Sequence, residues 1–235
     1  MGMMLPNELI WVMEKLGFEW PDVDEDEVRR GAEIIRVFTD EFEGRLQAVD
    51  RKVNGDLAAA MRGQAGPAFV AAWNTNRSQN LQKILDVLGP VPTGMEIGAT
   101  IVTGLKIKVI ADVTLTMITL IGMLTNPITA AGAGPMLIIK KKLLNAAVDI
   151  AVEEALAQVL PMVVEPLAQE LPGLIMAALD APVVEAVVGD TDEFYADVQA
   201  LEQAEEDLDL QAGDIETLLA QLGSDLGGLN ITGEG

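Results

Sequence analysis

Apolar residues recur at helical spacing along the first third of the chain. Between Ile35 and Met61 they are separated by steps of three or four residues, which places them on one face of an α-helix. Acidic residues precede this stripe at 24–27, where carboxylates favour the positive end of a helix dipole. We therefore predict a helix over residues 24–61, about 55 Å long at about 1.5 Å per residue. Its apolar positions are Ile35, Phe38, Phe42, Leu46, Val49, Val53, Leu57 and Met61.

Breaks in the pattern mark the ends of the neighbouring helices. A short helix capped by Asn7 is predicted to end at Gly17, because glycine tolerates the left-handed conformation. A second break, the predicted elbow of an antiparallel hairpin, consists of Gly63, Gly66 and Pro67. Beyond it the polar run 74–80 is predicted to weaken the returning helix locally. That helix carries the apolar residues Phe69, Trp73, Leu81, Ile84 and Leu88.

A second hairpin is predicted from two longer apolar stretches. Helices over 96–124 and 136–160 flank a turn rich in glycine and proline at 126–135. Residues 113–139 contain no charged side chain, and lysines stand on both sides of them. Three interpretations stay open for this segment: a buried core or oligomer seam, insertion into a membrane, and a tip that binds a partner. The membrane or oligomer candidates are Met117, Ile118, Ile121, Met123, Leu124, Met136, Leu137 and Ile138, and the flanking lysines are Lys106, Lys108, Lys140, Lys141 and Lys142.

The last third is predicted to form shorter elements. Prolines at 161, 166, 172 and 182 are expected to divide it into short apolar helices, followed by an acidic helix or two up to residue 222. The predicted fold class is all-α: an elongated helical bundle of two successive antiparallel hairpins with short C-terminal helices. The predicted segments are a hairpin with a short N-terminal helix over 1–92, an apolar hairpin over 93–160, a proline-punctuated acidic region over 161–222, and a disordered tail over 223–235.

Charge is distributed unevenly along the chain. All 15 basic residues lie at or before Lys142, whereas the 37 acidic residues divide into 17 before that point and 20 after it. The last 93 residues therefore carry a charge of −20 within a total of −22. Such a surface repels phosphate backbones, so we expect no nucleic-acid partner. It either serves solubility or docks to a basic partner.

Residues that carry common enzyme chemistry are missing. The chain contains no His and no Cys, so it lacks the usual general base near neutral pH and any thiolate. Its carboxylates stand in acidic runs, and the runs lack the spacing of a calcium loop. No glycine-rich loop ends in Lys-Ser or Lys-Thr. We expect no enzyme, no catalytic residue, no cofactor and no metal site.

The hairpin junction and its surroundings resemble a known family. Residues 61–73 are similar to the junction of the Trp-x-Gly family, the helical hairpins exported by type VII secretion systems. Gly63 matches the family glycine, Phe69 its aromatic position, and Met61 stands where the tryptophan would be. The opening residues 5–38, together with GPAFVAAWN and the apolar hairpin, resemble the N-terminal helical domain of actinobacterial channel-protein and polymorphic-toxin chains. The resemblance covers roughly residues 5–160 and implies an export-guiding module placed before an effector region.

The predicted function is therefore a non-enzymatic helical module for targeting and partner binding in type VII secretion. The alternatives are a membrane-inserting or pore-forming protein acting through 106–142, and a self-assembling structural protein. The partner is expected to be another helical hairpin or a second copy, with contact through Phe38, Phe42, Met61, Phe69 and Trp73. No basic n-region opens the chain. We expect synthesis in the cytoplasm, leaving open export without a cleavable signal peptide and peripheral membrane binding.

Overall fold

The computed structural model describes residues 13, 17, 20, 23–62, 65–124, 133–179 and 195–231. The fold is all-α, as the sequence predicts: four helices in the described part of the chain have 27 or more residues. The helices are α1 (Glu25–Arg51), α2 (Ala65–Asn76), α3 (Gln82–Leu88), α4 (Val91–Leu124), α5 (Ala133–Val159), α6 (Leu171–Leu179) and α7 (Val198–Gly227). Two-residue strands β1 (Met61–Arg62) and β2 (Tyr195–Ala196) pair antiparallel.

Helix α1 begins where its acidic residues predict. The Asp24 side chain accepts hydrogen bonds from the backbone N–H groups of Asp26 and Glu27, at 3.0 and 3.1 Å. This satisfies two donors that a helix start leaves without intrahelical partners. After Arg51 the helical backbone continues through a wide π-helical turn, Lys52–Leu57, and ends at Ala60.

The chain divides into two compact units. The first unit comprises residues 33–92 and 163–228, and the second comprises 1–32, 93–162 and 229–235. The division of the sequence into four segments thus stays a prediction, although the chain leaves the first unit after Pro92, at the predicted end of the first segment.

The first unit contains the predicted hairpin. The returning helix, α2 and α3 with the π-helical turn Arg77–Leu81 between them, runs back along α1. Residues of α6 and α7, and of the π-helical turn Pro166–Glu170, close the core over this hairpin. The turn at 77–81 falls in the polar run where the sequence predicts a weakened helix. The buried core residues are Phe38, Phe42, Leu46, Ile84, Leu85, Leu88 and Leu218.

The second unit contains the second hairpin. Val109 and Val113 of α4 pack with Leu144 and Val148 of α5 and with Met13. Gly98, near the start of α4, lies beside Val159 at the end of α5, whereas Val109 and Val113 cluster with the earlier Leu144 and Val148, so the two helices are antiparallel as predicted. Gly17 has a φ of 68°, the left-handed conformation that glycine was predicted to supply there. Most of the predicted turn at 126–135 lies outside the described residues, and α5 begins at Ala133.

The proline-rich region differs from the prediction. The prolines were expected to divide it into short helices, but the helical backbone is continuous from Ala133 to Leu179. Pro161 lies in the π-helical turn Leu160–Val164, and Pro166 begins the next such turn. A proline lacks its N–H in either kind of helix, but the wider π-turn moves away the carbonyl that the proline ring would meet in a regular α-helix.

The C-terminal segment forms one of the two predicted arrangements, a single acidic helix, but that helix ends later than predicted. The acidic helix α7 is a single element of 30 residues, capped by Asp197, whose side chain accepts from Ala200 N–H at 3.2 Å. It continues to Gly227, so the tail is helical over 223–227 and not disordered there. Further on, Ile231 C=O accepts a hydrogen bond from Asp24 N–H at 2.8 Å.

Candidate partner-binding surfaces

The elbow of the first hairpin is extended and paired. Met61 has extended backbone angles, φ −98° and ψ 118°, and pairs with Ala196, while Arg62 pairs with Tyr195. The chain thus enters the predicted elbow of Gly63, Gly66 and Pro67 through a short extended segment that is paired with β2, which the sequence did not predict. Gly63 itself lies outside the described residues.

Gly66 has a steric reason to be glycine. It is buried, and a Cβ placed on it would lie 2.8 Å from both Cβ and the carbonyl oxygen of Met61. Pro67 is exposed in the first turn of α2, a position that tolerates a missing N–H. The glycine and the proline therefore fit the start of the returning helix.

Two of the five proposed aromatic and apolar contacts lie inside the protein. The rings of Phe38 and Phe42 are stacked, with centroids 5.6 Å apart and an interplanar angle of 11°. Both side chains are buried, 6 % and 8 % exposed, within the core of the first unit. A partner therefore has no access to them while this core is closed, and they serve the fold.

The other three candidates keep part of their surface exposed. Met61, Phe69 and Trp73 are each half-buried. A hydrogen bond fixes the orientation of the Trp73 ring: its Nε1–H donates to Asp50 Oδ1 of α1 at 2.8 Å. Phe69 and Trp73, one helical turn apart on α2, thus keep part of their apolar side chains open, as does Met61 in β1.

A polar network next to Trp73 was not predicted. The Arg77 guanidinium donates to both carboxylate oxygens of Glu43, at 3.0 and 2.7 Å, and to Asp50 Oδ2 at 3.1 Å. Its side chain is 12 % exposed. The sequence did contain a signal for this network. Glu43 and Asp50 are seven residues apart and so lie on one helix face, and the returning helix has a single arginine that can pair with them. The network fixes the register between α1 and the returning helix.

Two of the eight predicted membrane or oligomer residues are exposed in the described part of the second hairpin. Ile118 and Ile138 are 62 % and 60 % exposed, whereas Met117 packs against the core of the second unit. Met123, Met136 and Leu137 are half-buried. The side chains of Ile121 and Leu124 lie outside the described part of the structure.

Lys106 corrects one part of the membrane interpretation. Insertion of the flanked segment into a membrane would require Lys106 to be accessible to lipid headgroups, but its ammonium is buried and donates to Glu25 Oε2 at 2.6 Å and to Val23 C=O at 2.7 Å. The Trp20 ring lies 5.5 Å from the same nitrogen, within the range of a cation–π contact. Lys108 and Lys140–Lys142 are exposed.

Neither a membrane span nor a metal cluster is found among the described residues. No helix over these stretches is both long enough and apolar enough to cross a bilayer. Nor do the described acidic side chains form a group of three or more that could hold a metal ion.

Comparison with known families decides the classification. The family model of the WXG100-like domain matches residues 3–144, more than half of the chain. The chain belongs to the WXG100-like domain family. The match includes the first hairpin and α4, and it ends within α5. Neither the comparison with curated proteins nor that with solved structures gave a match.

Family membership gives the general biological context. WXG100-like domains are helical, non-enzymatic proteins of type VII secretion, and they typically form dimers with themselves or with another helical hairpin. The chain is therefore a type VII secretion-associated helical protein. The resemblance inferred from its hairpin junction is confirmed at the level of the family.

Proposed function

We propose that the chain is a non-enzymatic targeting and partner-binding module, exported by a type VII secretion system without a cleavable signal peptide. The family match over residues 3–144 is the observation that carries this proposal. We further propose that the module precedes an effector such as a polymorphic toxin, encoded in the same chain or separately. Cofactors have no part in this function.

The proposed contact surface lies beside the elbow of the first hairpin. Met61, Phe69 and Trp73 supply its apolar area, and each keeps part of its side chain exposed. Because Asp50 and Arg77 hold this region in register, the surface is formed before the partner arrives. A preformed surface loses less conformational entropy on binding.

The experiment compares export and partner capture. A tagged chain is expected in the culture medium of source cells, and it is expected to disappear from the medium of a strain that lacks type VII secretion. The Phe69→Ala variant is expected to lose its co-purifying partner while keeping its circular dichroism spectrum. Phe42→Ala serves as the control for the core, since truncating a buried Phe costs about 3–5 kcal/mol.

Two results would contradict the proposal. One is equal export from the strain lacking type VII secretion. The other is an unchanged yield of partner with Phe69→Ala. Loss of partner only together with unfolding, in both Phe variants, would mean that Phe69 belongs to the core as Phe42 does.

A further inference from the structure

The inward face of α7 has the spacing of a helix that packs along another helix. Six of its buried or half-buried positions follow one another at steps of 4, 3, 4, 3 and 4 residues, which is the pattern of a coiled-coil seam. Only Ala204 and Leu218 are buried among the 30 residues of this helix. The seam is therefore continuous but shallow. Its residues are Ala204, Leu208, Gln211, Ile215, Leu218 and Leu222.

Two ion pairs align α7 with α1 in the antiparallel direction. Arg45 lies 2.7 Å from Asp214, and Lys52, in the π-helical turn after α1, lies 2.6 Å from Asp207. The two cations are seven residues apart, and so are the two carboxylates, which places each pair of like charges on one face of its helix. The hairpin surface thus matches a helix that carries carboxylates at this spacing.

Helix α7 is held less firmly than the rest of the first unit. The four side chains of its two ion pairs keep between 35 % and 47 % of their surface exposed, so solvent screens both pairs. Leu218 is the one member of the buried core that α7 supplies. The other six belong to α1 and α3, and residues of α6 pack against them. Most of this core therefore remains in place when α7 leaves.

Gln211 makes α7 an imperfect occupant of its position. The Gln211 Oε1 atom is buried and accepts no hydrogen bond from any described residue. A buried acceptor without a donor costs free energy, and an apolar side chain of similar size avoids that cost. Helix α7 also lies beyond residue 144, where the family match ends. The matched domain therefore does not include its own covering helix.

We propose that α7 is a replaceable occupant of the hairpin face on α1, and that an acidic amphipathic helix of a partner protein competes with it for this position. Such a helix has apolar residues at alternating steps of three and four, and two carboxylates seven residues apart that meet Arg45 and Lys52. While α7 is in place it blocks this contact, so it acts as an intramolecular inhibitor. The inference goes beyond the proposed function, whose contact residues beside the elbow are partly exposed while α7 is bound.

The first experiment measures binding of a free copy of α7 to the full chain. A fluorescein-labelled peptide of residues 198–227 is titrated with the chain and followed by fluorescence anisotropy. Leu218→Ala in the chain is expected to lower the apparent dissociation constant at least about tenfold relative to the wild type, because more molecules have the site open. Leu219→Ala is the matched control, since Leu219 is 50 % exposed on the same helix. It is expected to bind the peptide as the wild type does.

A second variant opens the site without changing the core. Asp207→Lys/Asp214→Lys in the chain sets like charges against the two cations of the hairpin and is also expected to bind the wild-type peptide more tightly than the wild-type chain does. Asp209→Lys/Glu216→Lys changes the net charge equally at two exposed positions of α7. This control is expected to behave as the wild type, which separates release of α7 from general attraction of an acidic peptide.

Variants of the peptide test the chemistry of the partner. A peptide with Asp207→Lys/Asp214→Lys is expected to bind the Leu218→Ala chain at least about tenfold less tightly than the wild-type peptide. A peptide with Gln211→Leu is expected to bind it more tightly, since no buried amide is left unpaired. Equal or tighter binding of the charge-reversed peptide would overturn the acidic character of the partner helix.

Two results would overturn the proposal as a whole. One is equal binding of the wild-type peptide to the wild-type chain, to Leu218→Ala and to Asp207→Lys/Asp214→Lys. The other is loss of most of the circular dichroism signal in both variants, because α7 would then be a fixed part of the core. Neither export nor capture through Phe69 enters these measurements. A failure here therefore contradicts only the replaceable helix, and a failure of export contradicts only the proposed function.

Discussion

Some glycines of this chain are confined by close contacts and others face open space, and a substitution by alanine distinguishes the two kinds. Gly66 is confined by the backbone of Met61, whereas a Cβ placed on Gly213, within α7, would meet no atom within 4 Å. Glycine is therefore required at position 66, because a larger residue would collide with Met61. At position 213 nothing requires glycine, and an alanine there would make the helix more stable.

We therefore predict opposite effects of the same substitution. Gly66→Ala is expected to lower the free energy of unfolding by about 1–3 kcal/mol, because the new methyl group forces the elbow apart. Gly213→Ala is expected to raise it by about 0.5–1 kcal/mol. Urea denaturation followed by circular dichroism measures both. Equal effects of the two substitutions would show that the contact with Met61 does not constrain the elbow.

The buried pair Lys106–Glu25 is the other residue-scale feature with a measurable consequence. Both side chains are 4 % exposed, and their charged atoms are 2.6 Å apart. Replacing Lys106 removes the buried cation that lies 2.6 Å from the Glu25 carboxylate. Lys106→Met is expected to lower the free energy of unfolding by about 3–5 kcal/mol.

The double variant Lys106→Met/Glu25→Gln tests whether this cost comes from the buried charge of Glu25. It is expected to be more stable than Lys106→Met alone, since it also removes the buried negative charge that has lost the Lys106 cation. Additive losses in the double-mutant cycle would mean that the two side chains contribute independently. Arg30→Met is a surface control, because Arg30 is 63 % exposed and 3.6 Å from Glu27.

At the scale of elements, the sequence predicted most of what depends on periodicity and little of what depends on contacts between distant segments. The start of α1 and the antiparallel partners followed from local patterns, capping residues and breaks. The unbroken helical backbone through Pro161 and Pro166 could not be predicted in this way, because π-helical turns leave no simple signature in one sequence. The Arg77 network and the burial of Lys106 depend on pairs far apart in the chain.

Lys52 connects the π-helical turn after α1 to the acidic helix α7, and this connection depends on pH. Its ammonium donates to Asp207 at 2.6 Å and to Asp56 at 2.9 Å. The hydrogen bond to Asp207, followed by that to Asp56, raises the pKa of Lys52 above its ordinary value. A raised pKa in the folded state means that the stabilisation is fully present below about pH 10.4 and is lost as pH rises through the folded-state pKa.

The corresponding prediction compares Lys52→Gln with the wild type at two pH values. At pH about 7 the variant is expected to be the less stable protein, by a small margin because the pair is partly exposed and screened by salt. The margin is expected to shrink at pH about 11 to 12. Lys83→Gln, at an exposed lysine of the same unit, is the control. A margin that grows with pH would contradict the assigned direction of the pKa shift.

At the scale of the whole molecule, the dominant property is the separation of charge along the sequence. The last 93 residues carry −20 and no basic residue, so the cations that partner them within the protein come from earlier segments. Arg45 and Lys52 of the first unit do this for Asp214 and Asp207 of α7. Other carboxylates on α7, including Glu202, Glu205, Glu206 and Asp209, lie along the same helix.

Salt is therefore predicted to stabilise the protein. Added sodium chloride screens the repulsion among carboxylates, and its effect is expected to be largest between about 0.01 and 0.15 M, where the Debye length falls from about 30 to about 8 Å. The urea midpoint should rise over this range. Replacing the four carboxylates Glu202, Glu205, Glu206 and Asp209 by their amides should raise the midpoint at low salt and flatten its dependence on salt.

A matched replacement separates self-repulsion from a general effect of salt. Glu33 and Glu41 are exposed on α1, where basic residues lie close by in sequence, and Glu33 pairs with Arg36 at 2.6 Å. Changing these two to glutamine removes attraction as well as repulsion, so the salt response should stay close to that of the wild type. If both sets of replacements flatten the response equally, the repulsion is spread over the chain and does not arise from its acidic last third.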